Sequence, residues 1–211
     1  MKKNVVILDY GIGNVKSIAN ALIEIGAEPV LSSDEKVIMG AEALILPGVG
    51  AFLKGMSNLI GANLVQVIQE YVATGKPFLG ICLGMQMLLE ESDEFGITKG
   101  LGLIPGKVQK LKLGKDSSEK LPHVSWNEIN EPQIGRWSNS LLESTEINTD
   151  VYFVHSFVAV PSNSENILAV ANYGNTDFCA AVNKDNVTGV QFHPEKSGKL
   201  GLKMLTQFLS N

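Results

Sequence analysis

The stretch 75-GKPFLGICLGMQMLLEES-92 joins a strand pattern to a helix pattern through a single cysteine. Gly-Lys-Pro predicts a turn, and the apolar run Phe78–Ile81 that follows it predicts a short buried strand. After Cys82, apolar residues recur at helical spacing, so a helix is expected to begin at once. Gly80 and Gly84 frame the cysteine, where glycine relieves the crowding of a sharp turn. The stretch therefore predicts one strand–turn–helix unit of an α/β fold, with Cys82 on the turn.

The N-terminal half of the chain repeats this alternation of strands and helices. A helix with an apolar stripe begins at Val15 and is closed by Gly26, and residues 51–74 predict one or two further helices, broken at Gly61. The apolar strand runs of this half are residues 5–8, 29–31 and 43–46. Continuous apolar strands that alternate with helices predict a parallel sheet covered on both faces.

The C-terminal half changes to strand patterns separated by short turns. Its strand candidates are residues 107–113, 152–158, 167–172, 178–183 and 187–192. The sequence NKDN at 183–186 predicts a hairpin turn, and an apolar stripe over 199–209 predicts a final helix. The polar stretch 117–150 is left unassigned. We therefore predict a single α/β domain over residues 1–211. Its fold is a three-layer α/β/α, flavodoxin-like sheet, mostly parallel, with antiparallel strands in the C-terminal half.

Charge and cysteine content exclude several classes of protein. The net charge of −5 argues against nucleic acid as a general partner, because phosphate binding requires a basic surface. The two cysteines, Cys82 and Cys179, could form one disulfide at most, and nothing else indicates secretion. Residues 5–8 are too short for the apolar region of a signal peptide, and no apolar run approaches the ~18 residues of a membrane helix. We therefore expect a cytoplasmic protein with reduced thiols.

The position of Cys82 admits a chemical role and a structural one. In parallel α/β sheets, sites collect at the carboxyl ends of strands, which is where Cys82 lies. Its Gly-x-Cys-x-Gly frame is similar to a nucleophile elbow, a strained turn that exposes its central side chain. The helix N-terminus favours a thiolate and directs the N–H of Leu83 toward an oxyanion. The alternative is a buried structural cysteine, which is the interpretation we give to Cys179.

A nucleophilic cysteine requires a base, and His193 is the best candidate. It lies in GVQFHPEKS directly after a strand pattern, with Glu195 two residues on. Pro194 keeps the segment extended, so the two side chains face the same way, as in a triad where an acid orients the imidazole. No metal site is predicted, because His123, His155 and His193 lack ligand spacing.

Two glycine-rich turns remain to be interpreted. The first, LILPGVGAF at 44–52, could cradle a phosphate, make a tight connection, or supply a second backbone donor to an oxyanion hole. The second, DYGIGN at 9–14, is not a dinucleotide-binding motif, because Lys16 stands where the third glycine belongs.

Together these motifs resemble the class I (triad-type) glutamine amidotransferases, and the resemblance covers nearly the whole chain. That superfamily carries the cysteine elbow, an upstream Pro-Gly-rich oxyanion loop and a His-Pro-Glu turn near the C-terminus. The exact sequences of five motifs resemble those of the family of glutaminase subunits of imidazole glycerol phosphate synthase, from histidine biosynthesis. These motifs are DYGIGN, LPGVGAF, GICLGMQML, YFVHSF and GVQFHPEKS. One position departs from that family, which usually has glycine where this chain has Ser125.

The resemblance implies a reaction and its residues. Cys82 attacks the side-chain amide carbon of glutamine, His193 moves the thiol proton to departing ammonia, and Glu195 orients the imidazole. The backbone amides of Val49 and Leu83 hold the oxyanion, and no cofactor is required. The residues expected to bind L-glutamine are Gly48, Gly50, Gln86, His155, Ser156 and Phe157.

The resemblance also implies a partner. Ammonia passes to a (β/α)₈-barrel cyclase subunit in a heterodimer, and that subunit forms imidazole glycerol phosphate and AICAR ribonucleotide. The positions that match the contact with it are Asn14, Trp126, Tyr152 and Lys196. Three alternatives stay open: an amidotransferase subunit that supplies ammonia for surface-sugar amidation, a free-standing cysteine hydrolase of γ-glutamyl compounds, and a binding module with a structural Cys82.

Overall fold

The computed structural model describes residues 3–210, and the strands and helices below are those of that part of the chain. The strands are β1 (Asn4–Leu8), β2 (Glu28–Ser32), β3 (Ala43–Leu46), β4 (Phe78–Ile81), β5 (Glu91–Ser92), β6 (Thr98–Lys99), β7 (Gly106–Lys110), β8 (His123–Ile129), β9 (Thr149–His155), β10 (Phe157–Pro161), β11 (Ile167–Tyr173), β12 (Thr176–Lys184) and β13 (Val187–Val190). The helices are α1 (Val15–Glu24), α2 (Glu35–Met39), α3 (Phe52–Gly61), α4 (Leu64–Ala73), α5 (Leu83–Met87) and α6 (Gly198–Ser210). Within residues 3–210, no helix has the length and apolar character needed to cross a membrane.

The strands form one large mixed sheet and one small sheet. Five neighbouring strands are parallel, in the order β2-β1-β3-β4-β13. The order continues through β12, β10, β7, β5 and β6, where every pairing is antiparallel except that of β5 with β7. Strand β11 also pairs with β12, and β8 and β9 form the separate two-stranded sheet. The predicted mixed sheet, with its antiparallel strands in the C-terminal half, is confirmed.

Helices cover both faces of the large sheet because its central strands are apolar on both sides. In β1, Val5 and Ile7 belong to one buried cluster, and Val6 and Leu8 belong to another. The first cluster includes residues of α1 and α6, and the second includes residues of α2, α3, α4 and α5. This arrangement agrees with the α/β/α layering expected from continuous apolar strands.

The strand predicted over 152–158 is wrong as a single element. Strand β9 ends at His155 and pairs with β8, whereas β10 begins at Phe157 and pairs with β7. The chain therefore leaves the small sheet and enters the large one at Ser156. Strand β8 lies in the stretch left unassigned, where only its end residues His123 and Ile129 are buried, so its apolar pattern is weak. The other strands and helices expected from the sequence are present, with ends displaced by a few residues.

The glycines that frame Cys82 are required by close packing. A Cβ on Gly84 would lie 2.0 Å from the carbonyl oxygen of Leu46, and one on Gly80 would lie 2.7 Å from the backbone of Gly84. Neither contact is tolerable, so α5 can pack against β3 and β4 only because both side chains are absent. The crowding expected at this turn is confirmed.

This packing predicts opposite effects for two glycine substitutions. Gly84→Ala should lower the free energy of unfolding by about 1–3 kcal/mol or more, because backbone must move to admit the methyl group. Gly61→Ala is the matched control: its Cβ would meet nothing within 4 Å. It should raise stability by up to about 1 kcal/mol, because alanine is the better helix former. Urea unfolding of wild type, Gly84→Ala and Gly61→Ala measures both changes in the free energy of unfolding. Equal stability of Gly84→Ala and wild type would contradict the packing argument.

Candidate active site

Cys82 occupies a strained turn between β4 and α5. Its φ of 55° and ψ of −109° lie outside the regions that a non-glycine residue favours. The conformation is held from the neighbouring strand, because the Cys82 N–H donates to the carbonyl of Val190 at 2.7 Å. The Sγ atom lies 3.8 Å from the carbonyl oxygen of Val154 and 3.7 Å from Nε2 of Gln191. These features are those of a nucleophile elbow.

His193 and Glu195 form a buried pair beside this turn. Nδ1 of His193 lies 2.8 Å from Oε1 of Glu195, and both side chains are almost completely buried. The His193 N–H donates to the carbonyl of Tyr152 at 2.9 Å, which ties the pair to β9. Among residues 3–210, the buried side-chain atoms left without a hydrogen-bond partner are Nε2 of His193 and Oε2 of Glu195. A buried unpaired nitrogen is costly, and this one is available for proton transfer.

The surroundings of His193 favour its charged form. Burial by itself lowers the pKa of His193, but its interactions with Cys82 and Glu195 outweigh burial and raise that pKa to about 9. The carboxylate at Nδ1 leaves Nε2 for the sulfur. Cys82, His193 and Glu195 are therefore brought together in the order that a proton relay from sulfur to imidazole requires.

The Pro-Gly-Val-Gly loop after β3 packs directly against the elbow. A Cβ on Gly48 would lie 2.7 Å from the backbone nitrogen of Gly84 and 2.8 Å from Cβ of Leu83. Gly50 has a φ of +98°, which only glycine adopts readily. The hydroxyl of Tyr10 donates to the carbonyl of Pro47 and anchors the start of the loop. Burial, with a contribution from Cys82, raises the pKa of Tyr10, so this hydroxyl keeps its proton.

A cavity of about 460 Å³ opens over Cys82 and gathers most of the expected site residues. Its lining includes Val49, Gly50, Cys82, Leu83, Gln86, His155, Ser156, Phe157 and Lys196. It also includes Glu94, Pro122 and Val154, which were not expected. Other expected residues are outside the lining: Gly48, His193, Glu195, Asn14, Trp126 and Tyr152. A larger concavity of about 730 Å³ lies on the surface of α4, away from every residue singled out from the sequence.

Gln86 is held by two hydrogen bonds inside the protein. Its Nε2 donates to the carbonyl of Phe157 and to Oε1 of Gln191, both at 3.0 Å. Both amide hydrogens are thus used, and Oε1 of Gln86 is the atom left to face the cavity.

Two of the site residues that were not expected from the sequence, Gln191 and Glu94, have polar side chains. Gln191 could have been found, because a glutamine within the apolar strand pattern 187–192 is a buried polar residue that needs a function. Glu94 lies in an acidic run typical of solvated surface, yet its Oε2 accepts a hydrogen bond from the Phe52 N–H at 2.7 Å and it lines the cavity. Only the folded structure distinguishes it from its neighbours.

Two further histidines form a chain with Ser125 behind the cavity wall. Nδ1 of His155 lies 3.1 Å from the carbonyl oxygen of Phe157, and its Nε2 lies 3.0 Å from Nδ1 of His123. Nε2 of His123 lies 2.9 Å from the hydroxyl of Ser125. Because the carbonyl can only accept, neutral rings require each Nδ1 to carry the proton and Ser125 to donate. Both ring nitrogens of His155 are therefore engaged within the protein.

Burial keeps these two rings neutral. It lowers the pKa of His123 to about 4, and together with the adjacent His123 it lowers the pKa of His155 to about 3. The three histidines thus divide into one ring whose charged form is stabilised by Cys82 and Glu195, and two neutral rings with structural bonds.

Three of the four expected partner-contact residues lie together, and one of them, Lys196, also lines the cavity. The ring of Trp126 is 6.2 Å from that of Tyr152, and Nζ of Lys196 is 5.5 Å above the Tyr152 ring. Trp126 is 53% exposed although it is a large aromatic residue. Asn14 follows β1, precedes α1 and accepts a hydrogen bond from Ser17, at the carboxyl edge of the sheet.

Comparison with known proteins adds a family and several relatives. The model of the family described as "Glutamine amidotransferase class-I" matches residues 6–211. The imidazole glycerol phosphate synthase subunit HisH of Methanosarcina barkeri is 49% identical over 209 residues, 98% of each chain. Subunit HisH 1 of Legionella pneumophila (strain Lens) is 46% identical over the same coverage. Subunit HisH of Lactococcus lactis subsp. lactis is 46% identical over 207 residues, 98% of each chain.

Solved structures share the fold at lower identity. The structure of PurLQS from Thermotoga maritima aligns with a TM-score of 0.75 and 21% identity, covering 100% of this chain and 99% of that one. A glutamine amidotransferase from Thermotoga maritima aligns with a TM-score of 0.60 and 17% identity, covering 92% of this chain and 77% of that one. At these identities the likeness supports the α/β fold alone.

The electrostatics of His193 give a direct prediction. Because interaction with Cys82 raises the pKa of the imidazole, Cys82→Ser should lower that pKa, while Glu195 still holds it above the value that burial alone would give. Imidazole ¹⁵N chemical shifts followed against pH report the titration. Cys179→Ser, which changes the other buried cysteine, should leave it unchanged. An unaltered His193 titration in Cys82→Ser would show that the two side chains are not coupled.

Proposed function

Because the chain belongs to the class-I glutamine amidotransferase family, we propose that it is the glutaminase subunit of an imidazole glycerol phosphate synthase. It hydrolyses glutamine to glutamate and ammonia and delivers the ammonia to a cyclase subunit, in histidine biosynthesis. The observation that carries the proposal is the buried His193–Glu195 pair, which interacts with Cys82, while Cys82 itself lines the cavity. The names of the relatives, which are 46–49% identical, support the choice of pathway.

The proposed reaction proceeds through a thioester on Cys82. The sulfur forms a bond to the amide carbon of the glutamine side chain as its proton passes to Nε2 of His193. The carbon–nitrogen bond then breaks, and the same proton leaves with the nitrogen as ammonia. Water, deprotonated by His193, then attacks the γ-glutamyl thioester. The carbon–sulfur bond breaks, glutamate is released, and the proton on His193 returns to the sulfur of Cys82. Glu195 keeps the imidazole oriented and stabilises its charge throughout.

Two backbone donors are proposed for the tetrahedral intermediate. Leu83 is the first residue of α5, so no preceding carbonyl of that helix can accept its N–H. Val49 belongs to the loop that packs against Leu83 through Gly48, so its N–H can converge on the same point. Loss of one such donor typically costs about 10²–10³ in rate.

The cavity walls suggest how the amino-acid end of glutamine is bound. Oε1 of Gln86 and the carboxylate of Glu94 are acceptors, which suits the α-ammonium group. The wall formed by Ser156 and Phe157, with Gly50 nearby, is proposed to contact the α-carboxylate. His155 would contribute through its backbone, because its ring nitrogens are already bonded.

A partner is proposed because ammonia released into water is protonated and lost as a nucleophile. The exposed Trp126, with Tyr152 and Lys196, forms an aromatic and basic cluster typical of a protein contact. We assign this cluster and Asn14 to the interface with a (β/α)₈-barrel cyclase. Since Lys196 also lines the cavity, docking there would close the cavity mouth over the site of ammonia release.

We further propose that residues 1–211 act as one glutamine amidotransferase type 1 domain located in the cytoplasm. Strands from both halves of the chain share one sheet, which supports a single domain. Both cysteines are free and buried, and a thiol nucleophile is preserved best in a reducing compartment.

The decisive variant of the proposed function is Cys82→Ala. With glutamine as substrate, ammonia production by the complex with the cyclase should fall by about 10⁴-fold or more, because no thioester can form. With ammonium salt as substrate, the same complex should still form imidazole glycerol phosphate. Cys179→Ala is the matched control and should retain glutamine-dependent synthesis.

Three other outcomes would each contradict a different part of the proposed function. Loss of the ammonium-dependent reaction in Cys82→Ala would show that Cys82 serves folding or assembly. Full glutaminase activity of wild type without any partner would favour a free-standing hydrolase. Glutaminase activity that this cyclase and its ligand fail to stimulate would favour an amidotransferase subunit for surface-sugar amidation.

A further inference from the structure

Gln191 is a buried polar side chain that contacts the sulfur of Cys82. We propose that it is a further catalytic residue, whose amide donates a hydrogen bond to Sγ and stabilises negative charge on that atom. The proposal rests on the proposed function, since it assigns Gln191 a part in the same thioester reaction. It also concerns a property of the thiol that can be measured without glutamine.

The sheet brings Gln191 to the sulfur. Strand β13 pairs in parallel with β4, with Val190 opposite Ile81, so the residues that follow, Gln191 and Cys82, leave the sheet side by side. The Gln191 N–H donates to the carbonyl of Ala180 at 2.8 Å, which holds its backbone to β12 as well. The residue is 0% exposed, so every polar atom of its side chain needs a partner within the protein.

The direction of the Gln191 amide is determined by its neighbours. The carbonyl of Phe157 can only accept, so the Gln86 amide must present its Nε2 there. The same Nε2 also donates to Gln191, which must therefore present Oε1 to Gln86. The Nε2 of Gln191 is then the atom that faces Sγ, at 3.7 Å. Reversing the amide would place a nitrogen against a nitrogen and an oxygen against the sulfur.

A donor at this position acts on the charged states of the reaction. In the resting thiol, S–H can donate to the carbonyl of Val154 while Gln191 donates to the sulfur. When the proton moves to Nε2 of His193, the Val154 carbonyl has no proton left to accept. The Gln191 N–H still stabilises the sulfur anion, and it does so again when the thioester breaks and the thiolate leaves.

The test is the pH dependence of Cys82 alkylation by iodoacetamide, located by peptide mapping so that Cys179 does not contribute. Methionine is similar in size to glutamine but has no hydrogen-bond donor. In Gln191→Met, the rate of Cys82 alkylation at a pH below the midpoint of the pH profile should therefore fall by about tenfold. The midpoint should rise by about one pH unit accordingly. Thr188→Val is the matched control: it removes the hydrogen bond that the Asn183 amide donates to Thr188 in strand β13, just before Gln191, and should change neither quantity.

An unchanged midpoint in a folded Gln191→Met protein would overturn the proposal. A second measurement needs no substitution and decides the matter if that variant fails to fold. In ¹⁵N-labelled wild type, the side-chain amide signals of Gln191 should shift with pH at the midpoint of Cys82 alkylation, and they should shift again on alkylation. Amide signals that respond to neither would overturn the proposal. Because both measurements omit glutamine, they can succeed even if the glutaminase assignment fails.

Discussion

The parallel pairing of β4 with β13 is the contact on which the candidate site depends. It places Cys82 and Gln191, which are 109 residues apart in the chain, side by side at the carboxyl edge of the sheet. The Cys82 N–H bonds to the carbonyl of Val190, so the strained turn of one strand is held by the end of the other. His193 follows two residues later and is tied to β9. A shift of this pairing by one residue would reverse which side chains face the cavity.

The electrostatics of the site follow from what each buried ring can bind. His193 has a carboxylate at Nδ1 and the sulfur of Cys82 nearby, and its pKa is raised to about 9 even though burial opposes the charge. Burial lowers the pKa values of His123 and His155, and for His123 it outweighs the opposing effect of Glu119. Three imidazoles in one region of the fold therefore have separate functions. One stabilises the charge that proton transfer creates, and two support the wall that contains Phe157 and Gln86.

The sequence predicted what is encoded locally. The elbow at Cys82, the loop after β3 and the His193–Glu195 turn are short motifs whose geometry depends on neighbouring residues, and the structure brings them together. Gln191 and Glu94 were missed because their contacts form only when distant segments meet. The break at Ser156 was missed for a similar reason: strand-like residues on both sides of it do not reveal that the chain changes sheets there.

The structure also shows what Ser125, which stands where the family usually has glycine, contributes. Its hydroxyl supplies the donor that Nε2 of His123 requires once the other ring nitrogens are assigned. A glycine at this position would leave that buried nitrogen to water or to a partner. Since Trp126 is the next residue, the neutral histidine pair connects the proposed docking surface with the wall of the cavity.

The central claim is that glutamine is hydrolysed through a covalent bond to Cys82, and trapping that bond tests it most directly. The complex with the proposed cyclase is quenched in acid during turnover of isotopically labelled glutamine, digested, and analysed by mass spectrometry. The account predicts one γ-glutamyl group on the peptide that contains Cys82, sensitive to hydroxylamine as a thioester is. Turnover with labelled acyl groups on another residue, or with none on Cys82 at any quench time, would contradict it.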